Sequence, residues 1–394
     1  MRNDVMAALL GAVWMCVAAA AGAVEVSYGL LRVDYPSQAP ISRLEAKPAD
    51  RGFAGAELAT RDNQTTGQFM GQTYELTTVA TTPEEAEDAL AGLLADGASI
   101  IAVLANGADL LRLVERAGED ALILNIGAGD TNLRSENCRA NLFHITPSTA
   151  MRADAIAQFA IWKKWTDWFL VHGSNPDDRE LAEAYRRAAR KFGARIVEER
   201  EFEDTGGARR TDTGHVLVQR QLPVFTQRAK DHDIVIAADA SDVFAPYLPF
   251  HLWTPRPVLG SAGLQPVTFH PAHEAWGATQ FQTRFEELAG RRVRGDDYDA
   301  WLAFRVIGEA VTRTGSADPN VLRDYVLSDE FELAAFKGVP VTMRGWNGQL
   351  RQPVLLYDGA ITASVSPQDG FLHQVSPLDT LGLDAPESAC TAFD

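Results

Sequence analysis

The chain has 394 residues, of which 46% are hydrophobic and 23% charged, a composition typical of a globular protein long enough for two domains. The formal net charge of −17 at pH 7 argues against non-specific nucleic-acid binding and against docking on an anionic membrane, because both need a basic surface. An anionic ligand stays possible, since a few local arginines can dominate a cleft.

The first 23 residues have the pattern of a cleaved secretory signal. Residues 5–21 are almost wholly apolar, and Ala21, Gly22 and Ala23 fit a small-x-small cleavage site. The apolar run is short for a membrane span, and no later run is longer. The sequence therefore predicts export, with a mature chain that begins at Val24.

Strands and helices alternate through the first part of the mature chain. Apolar runs predict strands at residues 24–34, 74–79, 100–104 and 121–126. Helices are predicted at residues 54–69, from Thr82 to Gly97, and after Gly107. Thr82 and Glu85 have the spacing of a capping box, with Pro83 in the first turn. This alternation predicts a doubly wound, right-handed α/β unit.

Residues 139–152 form the predicted joint between two such units. A short apolar strand at 142–145 ends at Pro147, and Ser148 or Thr149 can cap the helix that follows. A segment that closes one lobe and opens another is a hinge candidate, and a small ligand would bind in the cleft beside it. The alternative is an ordinary connection within one larger sheet.

The alternation begins again after the joint. Helices are predicted at residues 151–165, 178–192, 221–228, 274–289, 298–314 and 319–327, and strands at 168–171, 195–199, 234–237, 258–259, 339–343, 353–357 and 362–366. Residues 376–394 lack periodicity and are predicted to form an irregular tail.

No catalytic or metal-binding set stands out in the sequence. Gly127 and Gly129 could begin a dinucleotide fingerprint, but Asn132 occupies the third glycine position. His270 and His273 lack the order and the helix that a zinc site needs. We therefore predict a binding protein rather than an enzyme, with no required cofactor and no metal.

Small and polar residues follow several predicted strands at their carboxyl ends, where backbone N–H groups can face a ligand. Alternatively, these residues only turn the chain. The predicted ligand-binding residues of this kind are Asn106, Gly107, Gly127, Ala128, Ser174, Asn175, Asp239, Ser241, Ser261 and Ala262.

Two cysteines remain after removal of the signal. Cys138 precedes the joint and Cys390 lies in the tail. In an oxidising compartment two cysteines tend to pair, so a disulfide between them is favoured over two free thiols.

The whole mature chain resembles the substrate-binding proteins of ABC transporters with the type I, leucine-binding-protein-like fold. The resemblance is carried by residues 298–301 (YDAW), 305–310 (RVIGEA), 315–318 (GSAD), 336–338 (FKG) and 346–349 (WNGQ). It implies an α/β periplasmic binding protein of type I, with two doubly wound lobes joined by three crossings, acting as a monomer with membrane permease subunits. Lobe one would comprise residues 24–143 plus about 274–343, and lobe two residues 144–273 plus about 344–375.

More narrowly, the chain resembles the subfamily associated with PQQ-dependent alcohol dehydrogenase systems. The matching stretches are residues 141–144 (NLFH), 209–215 (RRTDTGH), 223–227 (PVFTQ), 247–249 (YLP), 276–280 (WGATQ) and 347–353 (NGQLRQP). The resemblance implies PQQ or a compound of alcohol oxidation as ligand. A flat tricarboxylate would bind arginines and an aromatic surface. The candidates are Arg43, Arg209, Arg210, Arg256 and Trp253.

Two alternatives accompany this interpretation. The protein could be a periplasmic ligand sensor or a PQQ-handling accessory protein that feeds no transporter. It could also bind a branched-chain amino acid. In the amino-acid binders an acidic residue of the second lobe holds the ammonium group, but the corresponding loop at Ser261, Ala262 and Gly263 has no acid, which counts against this ligand.

Overall fold

The computed structural model describes residues 23–36, 46–203 and 217–393. The predicted signal, except for its last residue, lies outside the described residues. So do Arg43, Arg209 and Arg210.

The first lobe is built on a five-stranded parallel sheet with helices on both faces. The strand order is β2-β1-β3-β4-β5. All five residues of the central strand β3 are buried, as expected for a strand covered on both sides. The elements are β1 (Val24–Val33), α1 (Phe53–Met70), β2 (Gln72–Thr81), α2 (Ala86–Ala95), β3 (Ile100–Leu104), α3 (Gly107–Ala117), β4 (Leu122–Asn125) and β5 (Leu142–His144).

The second lobe repeats this design around a four-stranded parallel sheet. The strand order is β7-β6-β8-β9, and separate hydrophobic clusters cover its two faces. The elements are α4 (Thr149–Trp162), β6 (Asp167–Gly173), α5 (Pro176–Phe192), β7 (Arg195–Phe202), α6 (Val218–Thr226), β8 (Ile234–Ala238), α7 (Leu248–His251), β9 (Val258–Gly260) and β10 (Gln265–Val267).

The chain then returns to the first lobe and crosses back once more. Helices α8 (Ala278–Ala289), α9 (Gly295–Thr314) and α10 (Pro319–Leu327) and the strand pair β11 (Thr342–Met343) and β12 (Leu350–Arg351) contribute to the main hydrophobic core of the first lobe. Strand β13 (Val354–Tyr357) pairs with β10 on one side and with β14 (Thr362–Ser366) on the other in an antiparallel sheet, and β13 packs in the core of the second lobe.

The predicted α/β fold is confirmed, and two helix starts are corrected. Helix α2 begins at Ala86 without a side-chain cap, and the backbone carbonyl of Thr82 accepts the N–H of Glu85 in a turn before the helix. Helix α8 begins four residues later than predicted, after Trp276 and Gly277, which both have positive φ. The predicted cap of α4 is confirmed at Ser148, whose hydroxyl accepts the N–H of Met151 at 3.1 Å.

Buried polar side chains connect the three crossings between the lobes. Gln349 donates to the carbonyls of His144 and Thr146 at 3.0 and 3.2 Å in the first crossing. Thr268, in the second crossing, donates to Asp299 at 2.7 Å.

The third crossing reaches the same region through Gln352, which accepts from Lys337 at 2.6 Å and donates to the carbonyl of Ile145. Burial raises the pKa of Asp299 and lowers the pKa of Lys337. These two buried groups therefore lie beside all three crossings, and their environment depends on how the crossings are arranged.

The predicted disulfide between Cys138 and Cys390 is present, with 5.6 Å between the two Cα atoms. It ties the tail to the loop before β5. The tail has no long element, only 3-10 turns at Pro377–Thr380 and Ala385–Glu387. It is nevertheless well anchored, because buried Asp379 forms ion pairs with Arg344 and Arg351 at 2.9 and 2.8 Å.

Candidate functional site

A cavity of about 410 Å³ lies between the two lobes. We call it the interlobe cavity. Its lining residues come from the loops before α3 and α4, from the cleft side of α4 and α5, from the loops after β8 and β9, and from β10. They are Asn106, Gly107, Asp130, Thr149, Arg152, Asp177, Glu180, Leu181, Tyr185, Ala240, Gly260, Ser261, Gln265, Pro266 and Val267.

Helix α5 presents one face to this cavity. Asp177, Glu180, Leu181 and Tyr185 have helical spacing, which places them on one side of the helix. Tyr185 is 1% exposed, and burial raises the pKa of its hydroxyl. Burial, together with the carboxylates of Asp130 and Asp177, raises the pKa of Glu180.

The first lobe contributes an acid at the start of α3. A Cβ atom on Gly107 would collide with the carboxylate of Asp130, so the absent side chain of Gly107 lets Asp130 lie against the first turn of α3. The partial positive charge of a helix N-terminus stabilises an anion there. The carboxylate of Asp130 therefore occupies a position that a ligand anion would otherwise favour.

Arg152 is the cation among the described lining residues. One of its terminal nitrogens donates to the hydroxyl of Thr146 in the first crossing at 3.1 Å. Its buried Nε atom has no hydrogen-bond partner among the described residues. An unpaired buried donor is costly, so this atom is a candidate to bind an oxygen atom of a ligand.

A second pocket, of about 570 Å³, opens beside the interlobe cavity on the first lobe and shares Asn106 with it. Its charged groups are largely paired: Arg32 lies 2.9 Å from Asp34, and Arg51 lies 3.3 Å from Asp296. Burial raises the pKa of Asp296. This pocket is therefore a weaker candidate for a strong charge-based ligand site.

Among the predicted binding residues, Asn106, Gly107 and Ser261 line the interlobe cavity, and Gly127 lines the neighbouring pocket. The N–H groups of Gly127 and Ala128 have a partner within their own loop. Both N–H groups donate to the side-chain oxygen of Asn125, at 3.1 and 2.8 Å, because that amide turns back on its own loop.

Asn175, Asp239 and Ser241 are used within the second lobe, and neither they nor Ser174 line the interlobe cavity. Asn175 donates to Asp178 at 3.1 Å at the start of α5. Asp178 also accepts the N–H of Ser241 at 3.1 Å. The carboxylate of Asp239 accepts the N–H groups of residues 243–245 at 2.7–3.0 Å, so it is satisfied by its own loop.

The remaining second-lobe candidates also lie away from the cavity. Ala262 is 4% exposed and packs in a hydrophobic cluster. Trp253 is 60% exposed, and its backbone N–H donates to Thr226 at 2.9 Å. Arg256 donates to the carbonyl of His232 at 2.6 Å. Whether any predicted residue contacts a ligand stays a prediction, as it does for Arg43, Arg209 and Arg210.

Sequence reasoning missed most of the charged lining. Leu181 and Tyr185 lie on one face of α5, and Asp177 and Glu180 continue that face toward the amino end of the helix. The charged side chains on the same face were the available signal for a cleft. Asp130 and Arg152 gave no comparable local signal, because their positions depend on how the lobes pack.

Among the described residues, no helix is both long and apolar enough to cross a bilayer. No cluster of three or more histidine, cysteine or acidic residues in the described ranges is arranged to hold a metal ion.

Residues 46–220 match the family model described as "Periplasmic binding protein". No curated protein sequence matches the chain. The family model describes binding proteins, in agreement with the prediction that the protein is not an enzyme.

Solved structures share the fold at low sequence identity. A branched-chain amino acid ABC transporter ligand-binding protein from Burkholderia xenovorans has a TM-score of 0.69 and 18% identity, covering 94% of this chain and 100% of its own. A leucine-, isoleucine-, valine-, threonine- and alanine-binding protein from Brucella ovis has a TM-score of 0.66 and 15% identity, covering 85% and 89%.

A solute-binding protein of an ABC transporter from R. palustris, in complex with benzoate, has a TM-score of 0.65 and 13% identity, covering 94% of this chain and 100% of its own. At this level of identity the three similarities establish the fold, which is the type I periplasmic binding protein fold.

Proposed function

We propose that the protein is a periplasmic solute receptor of an ABC importer, which closes on a small polar ligand and presents it to membrane permease subunits. The interlobe cavity carries this proposal. Asn106 and Gly107 line it from the first lobe, and Tyr185 and Ser261 line it from the second. A ligand that contacts both lobes favours the conformation in which they approach each other, and hinged closure is the expected motion.

The three crossings support such a motion. Closure of two rigid lobes needs hinge residues in the connections between them. Here each connection is short and lies beside the buried groups Asp299 and Lys337. The family match over residues 46–220 and the shared fold add support for ligand binding.

PQQ, or a compound of PQQ-dependent alcohol oxidation, is the ligand that the narrower sequence resemblance favours. The described lining of the interlobe cavity contains three acidic residues, Asp130, Asp177 and Glu180, and one basic residue, Arg152. A tricarboxylate would therefore need further cations. The predicted sources are Arg43, Arg209 and Arg210. Replacing Arg209 and Arg210 together by alanine is expected to weaken PQQ binding strongly if their loop lines the cleft. Unchanged affinity would show that the loop is not part of the binding site.

A ligand sensor or a PQQ-handling protein without a transporter is the second candidate function. The lining of the cavity supports this function as well as it supports a transport receptor, because closure of the lobes on a ligand is common to both functions. The two are separated by ATPase stimulation: a transport receptor loaded with ligand increases ATP hydrolysis by its reconstituted permease complex, whereas a handling protein instead activates apo-dehydrogenase when loaded with PQQ.

Calorimetric titration with PQQ, leucine, benzoate and the cation putrescine, combined with small-angle X-ray scattering, tests the receptor function. We expect saturable binding of one solute class together with a smaller radius of gyration. The second lobe is expected to be needed, so Ser261→Trp should block binding while the protein keeps its fold. Binding that survives this change would place the ligand outside the interlobe cavity and refute the proposal.

A further inference from the structure

The charged groups of the interlobe cavity are unevenly distributed. Asp177 and Glu180 project from α5, and Asp130 faces them from the first lobe. None of these three carboxylates has an ion-pair partner within residues 23–36, 46–203 and 217–393. Glu183 of the same helix, in contrast, is paired: it lies 2.9 and 3.1 Å from Arg186 and Arg190.

The basic residues of α5 point away from the cavity. Arg179 pairs with Glu201 of β7 at 3.2 Å, and Arg186 pairs with Glu199 of β7 and with Glu183. The basic residues of α5 are thus paired away from the cleft, with Arg187 and Lys191 bound to Asp154 of α4, whereas the unpaired acids line the cleft. A solvated helix face of mixed charge would not need this separation.

A buried hydroxyl points to a ligand at the same place. Tyr185 is 1% exposed and lines the cavity next to Gly260, where a Cβ atom would lie 3.0 Å from the tyrosine oxygen. The hydroxyl forms no hydrogen bond with any residue that the structure describes. Buried hydroxyl groups normally have a partner, so this oxygen is available to a ligand in the cavity.

The nearby cations do not offset the acids. Arg152 also acts on the partly exposed carboxyl group of Asp296 and on the buried carboxyl group of Asp299. Arg134 lies behind Asp130 and donates to its backbone carbonyl at 2.9 Å. Three carboxylates therefore outweigh two guanidinium groups, and the acids lie on both sides of the cleft, where they repel each other across it.

We propose that the ligand is an organic cation whose ammonium or guanidinium group binds between Asp130 of the first lobe and Asp177 and Glu180 of the second, with the hydroxyl of Tyr185 as a further hydrogen-bond partner. This inference rests on the proposed receptor function and specifies a ligand class other than the anionic PQQ that the sequence resemblance favours. The bound cation replaces repulsion between the lobes by attraction, so it favours closure. A ligand of opposite charge would add to the repulsion.

Three four-carbon probes that differ in their end groups test the charge: putrescine, 1,4-butanediol and succinate. Agmatine and tyramine extend the cationic series. We expect at least one cationic probe to raise the melting temperature and to bind in calorimetry, with affinity falling as salt increases. The diol and the dianion should bind at least about 10-fold more weakly.

Matched variants locate the binding. Glu180→Gln and Asp177→Asn are each expected to lower the affinity for the cationic probe about 10-fold. Tyr185→Phe should lower this affinity without changing its salt dependence. Glu183→Gln on the same helix is the control, since Glu183 is paired away from the cavity, and it should leave the affinity within about twofold.

Tighter binding of succinate than of putrescine, equal effects of Glu180→Gln and Glu183→Gln, or failure of every cationic probe would overturn the inference. Other results distinguish failure of the cation inference from failure of the receptor function. Mass spectrometry of an anionic or neutral solute that co-purifies, and is lost in Ser261→Trp, would keep the receptor and refute only the cation. Absence of any bound or stabilising solute would refute both.

Discussion

Removal of the Cys138–Cys390 disulfide is expected to lower the thermal stability of the whole chain. The bridge closes a loop of 252 residues, for which the loop-entropy relation gives an upper value of about 5.5 kcal/mol. The real loss should be smaller, about 2–4 kcal/mol, because the tail keeps other anchors after the bond is broken. Ser388 donates to the carbonyl of Arg134 at 2.9 Å, and Asp379 keeps its two ion pairs.

The melting temperature converts this free energy into a measurable shift. An unfolding entropy of roughly 2.1 cal/mol/K per residue gives about 0.8 kcal/mol/K for 394 residues. A loss of 3 kcal/mol should therefore lower the melting temperature by about 4 °C. The assay is differential scanning calorimetry of the oxidised protein, the reduced protein and the Cys138→Ser/Cys390→Ser variant. Equal melting of all three, with the bond verified by mass spectrometry, would refute the reasoning.

Three further changes test the cavity and the hinge. Gly107→Ala should displace Asp130 and weaken ligand binding about 10-fold in calorimetry, whereas an unchanged affinity would show that Asp130 does not contribute. Gln349→Ala leaves buried Arg134 without the partner at 2.9 Å, so denaturant titration should show a loss of about 3 kcal/mol; a loss below about 1 kcal/mol would contradict this. Burial lowers the pKa of His270 to about 4. Because the unfolded chain then binds more protons, stability should fall as the pH drops from about 6.5 to 4, and His270→Gln should reduce this slope of unfolding free energy against pH.

The lobes were predictable because their signals are local. Strands such as β3 are short, continuous apolar runs, and α10 begins at Pro319 after the capping residue Asp318, as its sequence indicates. These signals depend on neighbouring residues alone. Strand β10 was missed because three partly buried residues give no periodic pattern, and the strand forms by pairing with the distant β13.

The cavity was less predictable because it depends on contacts that are distant in sequence. The rule that loops after parallel strands face a ligand identified Asn106 and Ser261, which line the cavity. The same rule gave no cavity position for Ala128 or Asp239. The side chain of Asn125 accepts the N–H of Ala128, and the carboxylate of Asp239 accepts backbone N–H groups of its own loop. Small polar residues alone do not show whether the polar groups of a turn form hydrogen bonds within the turn or with a ligand.

Arg152 connects the cavity to the hinge. Its guanidinium lines the cavity and also contacts Thr146 of the first crossing at 3.1 Å. The carbonyl of Thr146 in turn accepts from Arg134 and Gln349 at 3.1 and 3.2 Å. A ligand oxygen bound by the unpaired Nε of Arg152 would orient the side chain that contacts the crossing, because the guanidinium is planar and rigid. Ligand binding can therefore influence the arrangement of the lobes through this residue as well as through the charges that face each other across the cleft.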